Sequence, residues 1–168
     1  MTDKETTEII YKRLEIYFNN RDWAYEKEIR VGTGFKRLSQ RRIDFLAIST
    51  RNGNDVIGIE IKASRGDYKK DIQDTEKQKA LRCFCNDFYY AAPAGLIEKN
   101  ELPAWAGLIE VRTDADKYKS YSDKYFEDGD GVLAGYIRFT IAAPHLHNNP
   151  PTWGLVAEII RKYKKGER

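Results

Sequence analysis

Cysteine is nearly absent from this chain. Two residues, Cys83 and Cys85, cannot form a disulfide framework. Long apolar runs are absent too, since none approaches the ~20 residues that a membrane-spanning helix needs. The opening residues, Met1-Thr2-Asp3-Lys4-Glu5, contain no apolar stretch of the secretory kind, so a cytoplasmic protein is expected. There is no strong excess of either charge: 29 Lys and Arg against 26 Asp and Glu leave +3. The total therefore neither requires nor forbids nucleic acid, and the placement of cations matters more. No internal repeat and no low-complexity tract occurs.

The 168 residues are 41% hydrophobic and 12% aromatic, enough to bury the core of one domain and too apolar for a disordered chain. Residues 6–20 place Ile10, Leu14, Tyr17 and Phe18 on one helical stripe. Residues 23–31 alternate as a half-buried strand, with Lys27 the exception on the apolar side. A second strand is expected over 43–50 and a third over 56–63, joined by the turn Arg51-Asn52-Gly53-Asn54. A helix over 67–84 follows, then strands over 88–92 and 107–112. Residues 113–131 are polar and read as a surface excursion. The stretch 133–142 suits strand or helix, and 152–165 is a final amphipathic helix. The order α-β-β-β-α-β predicts a single α/β (α+β) domain, with a mixed central sheet flanked by helices, a core of about 5–113 and a variable part over 114–168.

Three charged residues stand inside apolar strands. Asp44 lies between Ile43 and Phe45, and Glu60 and Lys62 lie among Ile57, Ile59 and Ile61. Strand alternation puts Glu60 and Lys62 on one face and the isoleucines on the other. The short turn pairs the two strands and brings Asp44 beside Glu60. Buried charges are costly unless they are paired or hold a metal, and the two carboxylates are expected to repel each other across the strands without an ion. Carboxylates plus a backbone carbonyl suit Mg²⁺ or Mn²⁺. A neighbouring lysine would stabilise a developing anion, which points to phosphodiester hydrolysis. A structural salt-bridge cluster is the plainer alternative, and the order of elements favours the metal-dependent one.

The segment Arg42-Ile43-Asp44, followed after a hairpin by Ile59-Glu60-Ile61-Lys62-Ala63-Ser64, resembles the PD-(D/E)XK nuclease superfamily, whose core has this α-β-β-β-α-β order. Asp67-Tyr68, Cys85-Asn86, the strand Phe88-Tyr89-Tyr90-Ala91 and Gly107-Leu108-Ile109 are similar to the MmcB-like DNA-repair proteins. The resemblance implies a restriction-endonuclease-like fold, a DNA substrate and a repair role. It also implies Asp44, Glu60 and the Ile61 carbonyl as metal ligands, with Lys62 as the catalytic lysine. Glu28 matches an accessory glutamate ahead of the core, and Lys77 matches a helix lysine, although Gln78 stands where that pattern has an aromatic. Either Glu8 or Glu15 is available as a further ligand from the first helix. Many nucleases of this size act as homodimers. No residue separates a DNA substrate from RNA.

Other features carry less. His145-x-His147 lacks the further ligands that zinc requires. Cys83 and Cys85 suit a core or a helix end. Asp128-Gly129-Asp130-Gly131 lacks the ligand order of a calcium loop. Arg161, Lys162, Lys164, Lys165 and Arg168 read as a solvated end. Lys36, Arg37, Arg41 and Arg42 precede the Asp44 strand and are placed to hold phosphates. Charge reversal of Arg41 and Arg42 to Glu is therefore expected to weaken DNA binding equally across sequences. It should also flatten the salt dependence by about one unit of slope for each phosphate no longer neutralised. An unchanged affinity and slope in a fluorescence-anisotropy titration would reduce these cations to solvent-facing charges.

Overall fold

The computed structural model describes residues 1–32, 40–51, 53–75, 79, 82–113, 137–147 and 149–166; for residues 31, 32, 40, 41, 153 and 164–166 it describes the backbone alone. Helix α1 (Asp3–Phe18) starts three residues before the expected boundary. Thr2 and Glu5 form a reciprocal capping box there, a local signal stronger than the apolar stripe. Strands β1 (Trp23–Gly32), β2 (Gln40–Ser49) and β3 (Val56–Ile61) form the expected antiparallel meander. Arg41 and Arg42 lie within β2 rather than in a loop before it. Helix α2 (Arg65–Gln73) crosses over to β4 (Asp87–Pro93). Strand β5 (Gly107–Val111), strand β6 (Ile137–Ile141) and helix α3 (Trp153–Gly166) complete the chain.

The six strands lie in the order β1-β2-β3-β4-β5-β6. β3, β4 and β5 are mutually parallel, and the outer pairs are antiparallel. This is a mixed α+β sheet flanked by helices, as expected. The undecided stretch 133–142 is strand over Ile137–Ile141. The expected excursion over 113–131 and the Asp128–Gly131 turn fall, from 114 onward, outside the described residues. The second helix is corrected: it stops at Asp74, whose N–H bonds the Asp71 carbonyl, instead of running continuously to Phe84.

The sheet separates two cores. On one face Ile10, Leu14 and Phe18 of α1 pack on Phe45, Ile59 and Ala91. On the other, Tyr68 of α2 and Leu155 of α3 pack on Leu46, Phe88 and Tyr90. Cys85 is buried in this second core, and Cys83 is half-buried beside it. Asn86 clamps the starts of β3 and β4: its N–H donates to the Val56 carbonyl, and its Oδ1 accepts from the Val56 N–H, both at 2.8 Å. The C-terminal cations are not all solvated. Lys162 donates to the Lys27 carbonyl and Arg161 pairs with Glu158. No helix among the described residues is long and apolar enough to cross a membrane.

Gly58 is required by space in the middle of β3. A Cβ there would lie 2.4 Å from Cys85 Sγ and 2.6 Å from Ile43 Cδ1. Gly58→Ala is expected to cost roughly 1–3 kcal/mol through overpacking. Adding Cys85→Ala, which removes the nearer obstruction, should recover part of that loss. Urea denaturation of the single and double variants checks this, and a single variant as stable as wild type would mean the gap can open freely.

Candidate functional site

The meander does more than place Asp44 beside Glu60. Pairing of β1 with β2 runs through Lys27↔Phe45 and resumes at Ile29↔Ile43, skipping Glu28 and Asp44. Phe45 belongs to the α1-side core, whereas Ile29 and Ile43 belong to the opposite one. Both strands therefore switch faces at the skipped pair. Glu28 accommodates the switch with φ of 52°, a left-handed conformation uncommon outside glycine. Lys27 is left facing α1, where it pairs with Glu15 at 2.6 Å and lies 5.7 Å from the centre of the Tyr11 ring. This explains the break in the β1 alternation.

The β2–β3 ladder runs to Phe45↔Ile59, so the next step sets Asp44 against Glu60. Beyond it the side chain takes over from the backbone: the Ile61 N–H donates to Asp44 Oδ2 at 2.9 Å. The Lys62 N–H bonds the Ala91 carbonyl of β4, also at 2.9 Å. The Lys62 side chain then runs beneath α2. Its Nζ lies 3.2 Å from Glu60 Oε1, 3.2 Å from Asp71 Oδ1 and 3.6 Å from Asp67 Oδ2. Glu60 and Lys62 are each 3% exposed and Asp71 is 6% exposed. The Tyr90 hydroxyl, from β4, donates to Asp71 Oδ2 at 3.1 Å. The expected repulsion between Asp44 and Glu60 is thus relieved within the protein, because each carboxylate accepts a hydrogen bond.

Two phenols border this corner. Burial raises the Tyr90 hydroxyl well above its ordinary pKa, and the Asp71 carboxylate pushes it further. Burial likewise raises Tyr11, reinforced by the carboxylates of Asp44, Glu28 and Glu60 and opposed by Arg42. Both phenols therefore stay protonated at neutral pH, and Tyr90 is a hydrogen-bond donor there. A cavity of about 470 Å³ opens alongside, between the N-termini of α1 and α2, with Lys4, Thr7, Ile61, Ser64 and Lys70 in its lining.

The structure brings together Asp44, Glu60, Ile61 and Lys62. Glu28 sits opposite Asp44 at the face switch, paired with Arg42 at 3.5 Å across an exposed surface. Neither candidate glutamate of α1 joins the centre, since Glu8 is exposed and Glu15 is engaged by Lys27. Lys36, Arg37 and Lys77 lie outside the described residues, and of Arg41 only the backbone is described. Sequence reasoning missed Tyr11, Tyr90 and Asp71. The i, i+4 spacing of Asp67 and Asp71 was the available signal, because it stacks both on one helix face toward Lys62.

Among the described residues, no three His, Cys, Asp or Glu side chains gather closely enough to hold a metal. His145 instead faces Asp87, 3.4 Å away. A cation at Asp44 and Glu60 would rest on two carboxylates, a carbonyl and water. That sparse oxygen set is one Mg²⁺ accepts, since it keeps much of its hydration shell. Around the Lys62 ammonium itself three carboxylates gather, those of Glu60, Asp67 and Asp71.

No family model matches the chain, and no curated protein matches it significantly. Among solved structures it is similar to SPO1766, a protein of unknown function from Silicibacter pomeroyi. The two are 14% identical, over 96% of this chain and 88% of that one, with a TM-score of 0.62. At that identity the likeness shows the fold alone.

Glu60→Gln removes a buried charge from the Lys62 ammonium while keeping its shape. It is expected to lower the stability of the ion-free protein by roughly 1–3 kcal/mol, less than full loss of a buried pair because Asp71 still holds the lysine. Denaturation in EDTA measures this. A variant as stable as wild type would show that the Glu60–Lys62 contact adds nothing to folding.

Proposed function

We propose that this chain is a nuclease of the PD-(D/E)XK kind that hydrolyses DNA phosphodiester bonds with Mg²⁺ or Mn²⁺, in DNA repair as the MmcB-like resemblance implies. The observation that carries the reading is the meeting of Asp44, Glu60 and Lys62 where β2 and β3 part, with one oxygen of Asp44 fixed by the Ile61 N–H. Asp44, Glu60 and the Ile61 carbonyl are the residues that would hold the ion. When bound, such an ion supplies Lewis-acid stabilisation of phosphoryl oxygens and a more acidic water.

The protein's own groups do the rest. Lys62, clamped between Glu60 and Asp71, presents a fixed positive charge that offsets negative charge developing on the phosphoryl oxygens. Burial among carboxylates keeps its motion small, so little reorganisation is needed during reaction. The adjoining cavity is lined by Asp3 and Asp67 as well as Lys4 and Lys70, and the two lysines are its groups suited to flanking phosphates. Arg42 is a further exposed cation on β2, paired with Glu28.

A second reading, a nucleic-acid-binding module without catalysis, draws on the closed ion-pair network around Lys62. Incubation with labelled single-stranded, duplex and branched DNA and with RNA, in Mn²⁺, Mg²⁺ or EDTA, separates the two. The nuclease cuts DNA only with the ion present, whereas the binding module retains DNA uncut in every condition.

An ion that binds only the folded state is expected to raise the melting temperature; Lys62→Ala is expected to lower cleavage by ~10²–10³ while keeping that rise with Mn²⁺. A protonated amine cannot ligate a cation, so its removal should spare metal binding. A variant that cuts as fast as wild type would remove Lys62 from the mechanism.

A further inference from the structure

Asp71 and Tyr90 form a buried polar pair that the proposed metal centre does not itself use. We infer that Asp71, braced by Tyr90, is a positioning residue that holds the Lys62 ammonium in place; as a statement about catalysis this rests on the nuclease reading. A carboxylate 6% exposed in a short helix is costly unless its oxygens are engaged. Here one oxygen faces Lys62 Nζ and the other accepts from Tyr90.

Glu60 cannot do this work alone. In the proposed reaction its carboxylate would also hold a divalent cation and would then be less available to Lys62. Asp71 lies on α2, away from the ligand set, so its charge stays with the lysine whether or not an ion is bound. Asp67 is a weaker support, farther away and 57% exposed in its side chain.

The brace is rigid at both ends. Tyr90 stands in register with Glu60 on the neighbouring strand, so the chain of side chains from Glu60 through Lys62 and Asp71 to Tyr90 closes back on the sheet. α2 is fixed by the Ser64 cap on Asp67 N–H and by the buried Tyr68, whose hydroxyl donates to the Glu101 carbonyl at 2.9 Å. Tyr90 keeps its proton because burial and the Asp71 carboxylate both disfavour ionisation, so it remains the donor. Such outer partners orient the groups they touch and tune their chemistry.

The test uses Asp71→Asn and Tyr90→Phe in the full chain, with thermal melting to show that each is folded. The first readout is acylation of the Lys62 amine by an N-hydroxysuccinimide ester, followed by peptide mass mapping. The second is kcat and KM for cleavage of labelled DNA with Mn²⁺. Lys62 should be protected in wild type and acylated about tenfold faster in Asp71→Asn, with kcat lower by ~10–100-fold and KM changed less than about twofold. Tyr90→Phe, which removes only a hydroxyl, should move both readouts the same way by less, and it decides the matter if Asp71→Asn does not fold. Lys62 equally protected in the folded variants, or kcat unchanged, would overturn the inference. If wild type cuts no DNA, the nuclease reading fails, while the acylation rates still decide whether Asp71 holds Lys62.

Discussion

An ammonium group enters the core of a sheet only where anions are fixed to receive it, and the end of β3 is organised by that requirement. Lys62 follows the last residue of β3 and is as buried as the isoleucines beside it. An isolated charge at such depth is strongly disfavoured, so its partners must be part of the fold. Glu60 comes from the same strand face. Asp67 and Asp71 require α2 to begin at once, and it does: Ser64 caps the helix two residues after Lys62. Tyr90 then satisfies the second Asp71 oxygen from β4. The strand end, the helix start and the β3–β4 pairing are thus bound into one arrangement.

That arrangement carries more negative than positive charge. Three carboxylates face Lys62, and Asp44 lies one strand away. Buried clusters are tolerated when hydrogen bonds hold each member in place, and here an amide holds Asp44, a phenol holds Asp71 and the lysine holds Glu60. The protein can therefore fold without an ion. Under the nuclease proposal this separates roles: Asp71 keeps Lys62 in place, and Asp44 and Glu60 are left to the metal.

Much of this was legible in the sequence, and for identifiable reasons. The period-2 pattern around Glu60 and Lys62 gave their shared face, because six consecutive residues of β3 are extended and flanked by apolar neighbours. The hairpin signal gave the partner strand and hence Asp44. Asp71 was not legible as a site residue, since a carboxylate in a polar helix reads as solvated until tertiary packing turns that face inward. Tyr90 was hidden in an apolar run, where an aromatic reads as core. The Glu28–Asp44 face switch was least legible of all. Regular alternation carries Lys27 onto the α1 face after Trp23 and Tyr25, where Glu15 pairs with it, so the pattern does not mark the switch that follows at Glu28. The end of α2 at Asp74 was missed because residues 67–84 keep helix-compatible composition past the point where the helix stops.

The face switch also explains why the two paired carboxylates are unequal. Glu60 lies in regular strand and is 3% exposed, while Asp44, at the point where β1 and β2 change faces, is half-buried. With regular alternation Asp44 would project squarely into one core, on the face opposite its two neighbours, and a carboxylate there would have to find a cation or lose its charge. The switch instead brings it to the border between the faces, within electrostatic reach of Tyr11 on α1 and opposite Glu28. From there one oxygen binds the Ile61 N–H, on the chain that leads directly into the cavity bordered by Thr7 and Lys70. A fully buried acid at Glu60 and a partly open one at Asp44 give the corner an inside and an outside. In the proposed reaction, substrate and water approach from the Asp44 side, while the Glu60 side is sealed by Lys62, Asp71 and Tyr90.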